Sequence, residues 1–143
     1  MKTVRVQKDF SAPPERVYAY LSEHDNLSVL FAPARVEHLK DGATDRSGVG
    51  SVRRISFWGA LPSEETVTVA VPNDRIEYEI TKGSPMRDHH GTLEFTPTGA
   101  GGTHVDYTIT LDSAVPGLAA GVAIQLRRSI AKALARADEA TSG

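Results

Sequence analysis

Apolar and polar residues alternate strictly along Val105, Tyr107, Ile109 and Leu111. Beyond Pro116 the apolar positions spread out to Leu118, Val122, Leu126, Ile130 and Leu134. The first spacing has the period of a half-buried strand and the second that of a helix, so one strand is expected to feed one long helix from about Gly117 to Asp138. Near the start, Val4, Val6 and Phe10 alternate with Arg5, Gln7 and Asp9, which predicts another strand. The segment SAPPERVYAYLS follows, with Ser11 as a candidate cap, prolines in the first turn and Glu15 behind them, the chemistry of a helix start. Val17, Tyr20 and Leu21 form its apolar face. A second short helical stretch, Asp25 to Phe31, stops at Pro33.

Between these ends come six strand candidates: Ala34 to Leu39, Gly50 to Trp58, Glu65 to Val71, Arg75 to Thr81, Arg87 to Phe95 and Thr103 to Leu111. Asp41-Gly42, Pro72-Asn73-Asp74 and Gly99-Ala100-Gly101-Gly102 punctuate them, which reads as an antiparallel meander. The expected fold is α+β, with seven strands in a curved antiparallel sheet, two short helices after the first strand, and a long C-terminal helix across the concave face. A sheet and a single helix do not easily fill the space they enclose, and the hollow left between them suits an apolar guest.

The length, 143 residues, fits one domain spanning the chain, with only the tail Ala140 to Gly143 expected to fray. Sixteen basic residues against eighteen acidic ones, dispersed along the sequence, give a net charge of -2 and no basic stripe for nucleic acid. The absence of cysteine removes disulfides, thiolate chemistry and the usual structural zinc site. No apolar run reaches the length of a signal peptide or a membrane span, so a soluble, cytoplasmic protein without integral membrane association is expected. The turn at Gly99 to Gly102 precedes a strand rather than a helix and is no phosphate loop. There is no G-x-S-x-G elbow, and the adjacent Glu64 and Glu65 splay rather than pair.

The order strand, two short helices, six strands, long helix resembles the helix-grip fold of the START-like (SRPBCC) superfamily. That superfamily includes pollen-allergen-like proteins, polyketide cyclases and aromatases, lipid-transfer domains and plant abscisic acid receptors. DFSAPPERVYAYL (Asp9 to Leu21) resembles the family's entry from first strand to first helix. GSVRRISFWGALPSEE (Gly50 to Glu65) resembles its third strand and gate loop, and KGSPMRDHHG (Lys82 to Gly91) its turn between the fifth and sixth strands. Within these, GALPS is similar to the gate loop of the hormone receptors. SPMR (Ser84 to Arg87) does not reproduce their His-Arg-Leu latch, and a hormone-receptor role is not carried over.

Strand parity assigns the cavity lining to Ile55, Phe57, Val67, Val69, Tyr78, Ile80, Leu93, Tyr107 and Ile109, with Val122, Leu126 and Ile130 from the helix. The same parity turns Arg53, Glu65, Arg87 and His89 inward as polar anchors. With the hairpin centred on Gly59 to Ser63, Glu65 falls opposite Phe57 and two rungs from Arg53, which argues against a direct ion pair. Structural pairing at the sheet rim and contact with a ligand's polar end remain the alternatives for these two residues.

His89 and His90 point to opposite faces, so they cannot grip one metal together. Parity with Leu93 and Phe95 turns His89 inward, whereas the receptor-like motif would turn in His90. His24, His38 and His104 lie on other elements without ligand spacing, so no metal or other cofactor is expected.

Three functions follow from this reading. The first is binding or transport of a small hydrophobic or amphipathic molecule (a lipid, polyketide, isoprenoid or aromatic metabolite), with Arg53, Arg87 and His89 at its polar end. The second, implied by the resemblance, is a polyketide cyclase, aromatase or dehydratase using His89, Arg87 and Tyr78 in enolate chemistry. The third is a protein-interaction module working through the gate loop around Trp58 and Leu61.

Overall fold

The computed structural model describes residues 1–56, 62–83 and 86–142. Its elements run β1 (Lys2–Phe10), α1 (Pro14–Ser22), α2 (His24–Leu30), β2 (Arg35–Lys40), β3 (Val52–Ser56), β4 (Ser63–Val71), β5 (Arg75–Lys82), β6 (Arg87–Pro97), β7 (Thr103–Asp112) and α3 (Leu118–Thr141). The seven strands form one antiparallel sheet in the order β1-β7-β6-β5-β4-β3-β2. Every strand pairs with its neighbour in sequence except β1, which lies beside β7. The sheet stays open, with β1 and β2 as its two edges, and α1 and α2 carry the chain from one edge to the other.

Helix α3 packs along β1 and against α1 and α2. Its fully buried side chains are Ala119 near the start and then Ile130, Ala133, Leu134, Ala137 and Thr141. The last five recur at helical spacing, and the stripe they form leaves the strict four-residue series that begins at Leu118. The end expected to fray is instead fastened. Thr141 is buried and donates its hydroxyl to the Ala137 carbonyl at 2.8 Å, while Arg16 Nη1 donates to the Thr141 carbonyl at 3.2 Å. Ser11, expected to cap α1, donates its backbone N–H to Asp138 Oδ1 of α3 at 3.3 Å. Helix α1 starts at Pro14 without a side-chain cap. The proline ring presets helical φ and removes one N–H that would otherwise need a partner.

Alternation holds along most of the sheet and breaks where two of the expected inward residues lie. In β4 the register shifts between Val67 and Val69, and Ala70 rather than Val69 packs against the core. In β6 the register against β7 shifts between Arg87 and His90, with Asp88 in the left-handed region at φ 50°. An irregularity of this kind inserts a residue and turns what precedes it to the other face.

Gly91 belongs to the same inward row as Leu93 and Phe95 and sits directly across from Tyr78. A Cβ at Gly91 would overlap the Tyr78 ring, so this glycine provides the room in which the ring lies on the sheet. Gly91→Ala is expected to lower stability by about 2 kcal/mol, the scale of an overpacked core. Urea unfolding measures that loss, and tyrosine near-ultraviolet dichroism should report the displaced ring.

Candidate functional site

The concave face, α2 and the middle of α3 enclose a hollow of about 100 Å³. Its apolar wall comes from Ile55, Ile76, Ile80, Leu93 and Ile109 of the sheet, Leu126, Ile130, Ala133 and Leu134 of α3, and Leu27, Leu30 and Phe31 at α2. Of the sequence-predicted lining, Ile55, Tyr78, Ile80, Leu93, Tyr107, Ile109, Leu126 and Ile130 face it. Val67 and Val122 do not. Val67 is buried in the core opposite Tyr78, and Val122 packs half-buried against the core. Phe57 and the gate-loop residues Trp58 to Leu61 lie outside the described residues. The contribution of α2 has a readable signal in Leu27, Leu30 and Phe31, which have helical spacing, but parity along strands cannot place a neighbouring helix.

The hollow holds a polar group. Arg53 and Glu65 are direct cross-strand partners, with Arg53 Nε donating to Glu65 Oε1 at 2.7 Å. Their side chains are only 6% and 7% exposed. This corrects the expected separation, because β3 and β4 pair with Ile55 opposite Ser63, so the partner of Glu65 is four residues earlier than a turn centred on Gly59 to Ser63 would make it. A shift of four keeps the parity, and both charges stay on the inner face. The pair is also buried rather than at the rim.

The Arg53 guanidinium lies over the Tyr78 ring, 4.6 Å from its centre, and the Tyr78 hydroxyl is hydrogen-bonded to that of Tyr107. Burial works against the Arg53 charge, but Glu65 more than offsets it and holds the guanidinium above its ordinary range. Burial pushes the Glu65 carboxyl up and Arg53 opposes that rise. Arginine keeps its proton even when buried, so Glu65 is the counter-charge that Arg53 requires. Burial pushes Tyr107 up to about 12 and Tyr78 well above its usual range, so both are neutral phenols.

His89 also lines the hollow, and its buried Nδ1 has no hydrogen-bond partner among the described residues. Burial lowers its pKa, which favours the neutral imidazole. His90 takes the other face and bonds Glu77 Oε1 at 3.0 Å. Arg87, expected inward beside His89, lies across the irregularity at Asp88. Its side chain is 62% exposed and faces Asp112 at 3.7 Å, so it does not line the hollow.

Sequence spacing misses a second polar chain. His38 sits across from Arg53 on β2, and its Nδ1 lies 3.0 Å from Nδ1 of His24. On the other side of its ring, His38 Nε2 is 2.7 Å from Asp41 Oδ1. His24 has no exposed surface, and its Nε2 has no partner among the described residues. Its burial first, then the charge of Arg53, lowers its pKa to about 3. His104 is elsewhere, bonded to Asp9 at 2.6 Å. Among the described residues, no group of three or more histidines, aspartates or glutamates is placed to hold a metal ion.

Residues 1–140 match the family described as "Polyketide cyclase / dehydrase and lipid transport". The chain belongs to this family. Solved structures similar to this polyketide cyclase and lipid-transport family member include TTHA0849 from Thermus thermophilus, at 22% identity and a TM-score of 0.76, covering 96% of this chain and 95% of that one. XoxI from Bacillus cereus is similar at 15% identity and a TM-score of 0.75, with 99% and 96% covered. The Aha1 dimer from Colwellia psychrerythraea is similar at 17% identity and a TM-score of 0.72, also with 99% and 96% covered. At these identities the likeness is one of fold. No curated protein matches the chain significantly. Among the described residues, no helix of this family member is long and apolar enough to cross a membrane.

Two stability measurements test the polar architecture. His24 titrates near 6.5 when unfolded and near 3 when folded, so the unfolded chain binds the extra proton between those values. Its contribution is therefore complete above about pH 6.5 and falls away as pH drops toward 3, by about 3–5 kcal/mol in all. His24→Gln should flatten the acid side of a Tm-against-pH profile. Separately, Glu65→Leu strands a buried guanidinium and should cost about 3–5 kcal/mol in denaturant unfolding, whereas Arg53→Met with Glu65→Leu should recover most of it.

Proposed function

We propose that this protein binds a small hydrophobic or amphipathic molecule in the hollow between its sheet and C-terminal helix, and that it works in the cytoplasm. The observation that carries this reading is an apolar hollow with one compact polar group, Arg53, Glu65, Tyr78 and Tyr107, on its wall. Apolar surface supplies affinity in such a site and a few polar atoms fix orientation. His89 is a second polar contact, and Arg87 has no part in it.

The size of the hollow bounds the affinity. A cavity of about 150 Å³ lined by leucine, isoleucine and phenylalanine accepts benzene, so a space of about 100 Å³, smaller by a third, suits a short chain or the end of a longer molecule and takes a single ring with some movement of its wall. Burying about 200 Å² of ligand at about 25 cal/mol per Å² gives about 5 kcal/mol before association costs, which corresponds to binding in the millimolar to high-micromolar range for a ring alone.

A cyclase or dehydratase reading has its own support in His89, a neutral imidazole whose buried Nδ1 has no hydrogen-bond partner among the described residues and could serve as a general base. A family of cyclases, dehydrases and lipid-transport proteins contains both possibilities.

Native mass spectrometry of gently purified protein should show a co-purifying small molecule. Leu126→Trp, which fills the hollow from α3, should abolish that species and the binding of small aromatic probes while leaving the melting transition intact. Retention of binding by a folded Leu126→Trp protein would place the ligand elsewhere. His89→Gln distinguishes the enzyme reading, because it should remove turnover of a bound substrate with less than about a tenfold change in affinity.

A further inference from the structure

Among the described lining residues only Arg53 and Glu65 carry formal charge, and residues 57–61, 84 and 85 have no charged side chain. The two charges are in direct contact at 2.7 Å, and the face of the guanidinium is covered by the Tyr78 ring. The arginine in this hollow is therefore already neutralised. A carboxylate entering it would give up its hydration for a site with no net positive charge and a second carboxylate on the wall.

The tyrosine pair offers something different. Two neutral hydroxyls joined by one hydrogen bond use one of their two protons between them, and the second proton is left to donate. His89 adds a neutral ring nitrogen without a partner among the described residues, its pKa lowered by burial. The wall thus presents uncharged donors and acceptors beside an internally balanced ion pair. These are partners for a ketone, aldehyde, phenol or alcohol.

We propose that the hollow selects an uncharged, carbonyl- or hydroxyl-bearing ligand of single-ring size and rejects the matching carboxylate, because Glu65 neutralises Arg53 and the Tyr78–Tyr107 pair supplies the hydrogen bond. This deepens the binding reading above and rests on it. Glu65 acts here as the specificity-determining residue, and Arg53 is held as a structural cation under its control.

The test uses three single-ring probes, toluene and the equally sized pair acetophenone and benzoate, titrated at about pH 7.5 into the full-length protein and followed by calorimetry and amide chemical shifts. Acetophenone is expected to bind at least about tenfold more tightly than benzoate, and toluene to fall between them. Tyr107→Phe should bring acetophenone down to the level of toluene without altering toluene itself. Glu65→Gln, checked for its fold by circular dichroism, should strengthen benzoate by about tenfold or more, since it unmasks the arginine.

Wild-type protein that binds benzoate as tightly as acetophenone, or more tightly, overturns the proposal and leaves the binding function standing. Binding of none of the three probes overturns the binding reading itself, and this inference with it. The wild-type comparison decides the matter even where Glu65→Gln does not fold. A folded Glu65→Gln that leaves benzoate unchanged removes Glu65 from the selection and overturns the proposal.

Discussion

An arginine cannot shed its proton when it is buried, so a fold that takes one into its interior must bring a counter-charge to it. Arg53 meets that requirement through Glu65, directly across the β3–β4 ladder, and the pairing constrains more than two side chains. A slip of one residue would put the two charges on opposite faces of the sheet, and a slip of two would separate them inside an apolar wall. Register irregularities lie close on both sides, at His38/Lys40 and at Glu64/Glu65. The ion pair acts as the electrostatic peg that keeps β3 in place between them. The rest of the polar interior is arranged around it, with His38 across the other ladder and the Tyr78 ring under the guanidinium.

The closing helix divides its work along its length. From Ile130 onward it is anchored by packing and by bonds from Ser11 and Arg16, while Arg136 Nη1 reaches the Leu30 carbonyl at 2.9 Å and ties it to α2. Earlier in the helix Ile124 points to solvent and Leu126 faces the hollow. The anchoring residues Ile130, Ala133 and Leu134 also line the hollow, whereas Leu126 lines it without belonging to the anchor. Filling the hollow at Leu126 is therefore separable from unfolding the protein, whereas the same enlargement at Ala133 or Ala137 would strike the anchor.

The fold is legible in the sequence because it rests on periodicity. Two-residue and helical alternation place every described element and its order, and the parity of β3, β5 and β7 turns Arg53, Tyr78, Tyr107 and Ile109 to the correct face. The site is legible only in part, because its details depend on features without a local signature. The β3–β4 register expected from the turn lies four residues from its true value, since apolar alternation fixes parity and says nothing about shifts by an even number. Arg87 escapes the parity rule through an irregularity at Asp88, whose positive φ is uncommon for any non-glycine residue even though aspartate is among the types that adopt it. His24 and His38 are fourteen residues apart on different elements, and only the packing of α2 against β2 brings their rings together.

These irregularities decide what chemistry the hollow contains. Had β6 continued in register past His89, Arg87 would have entered the cavity beside it and added an unmatched positive charge, which is the ingredient an anion site requires. The turn at Asp88 sends that charge out to Asp112, and the interior keeps a neutral imidazole, two phenols and one balanced ion pair. A shared backbone plan at 15–22% identity therefore does not by itself fix the charge of the wall. One inserted residue decides whether Arg87 adds an unmatched positive charge to it or faces Asp112 outside.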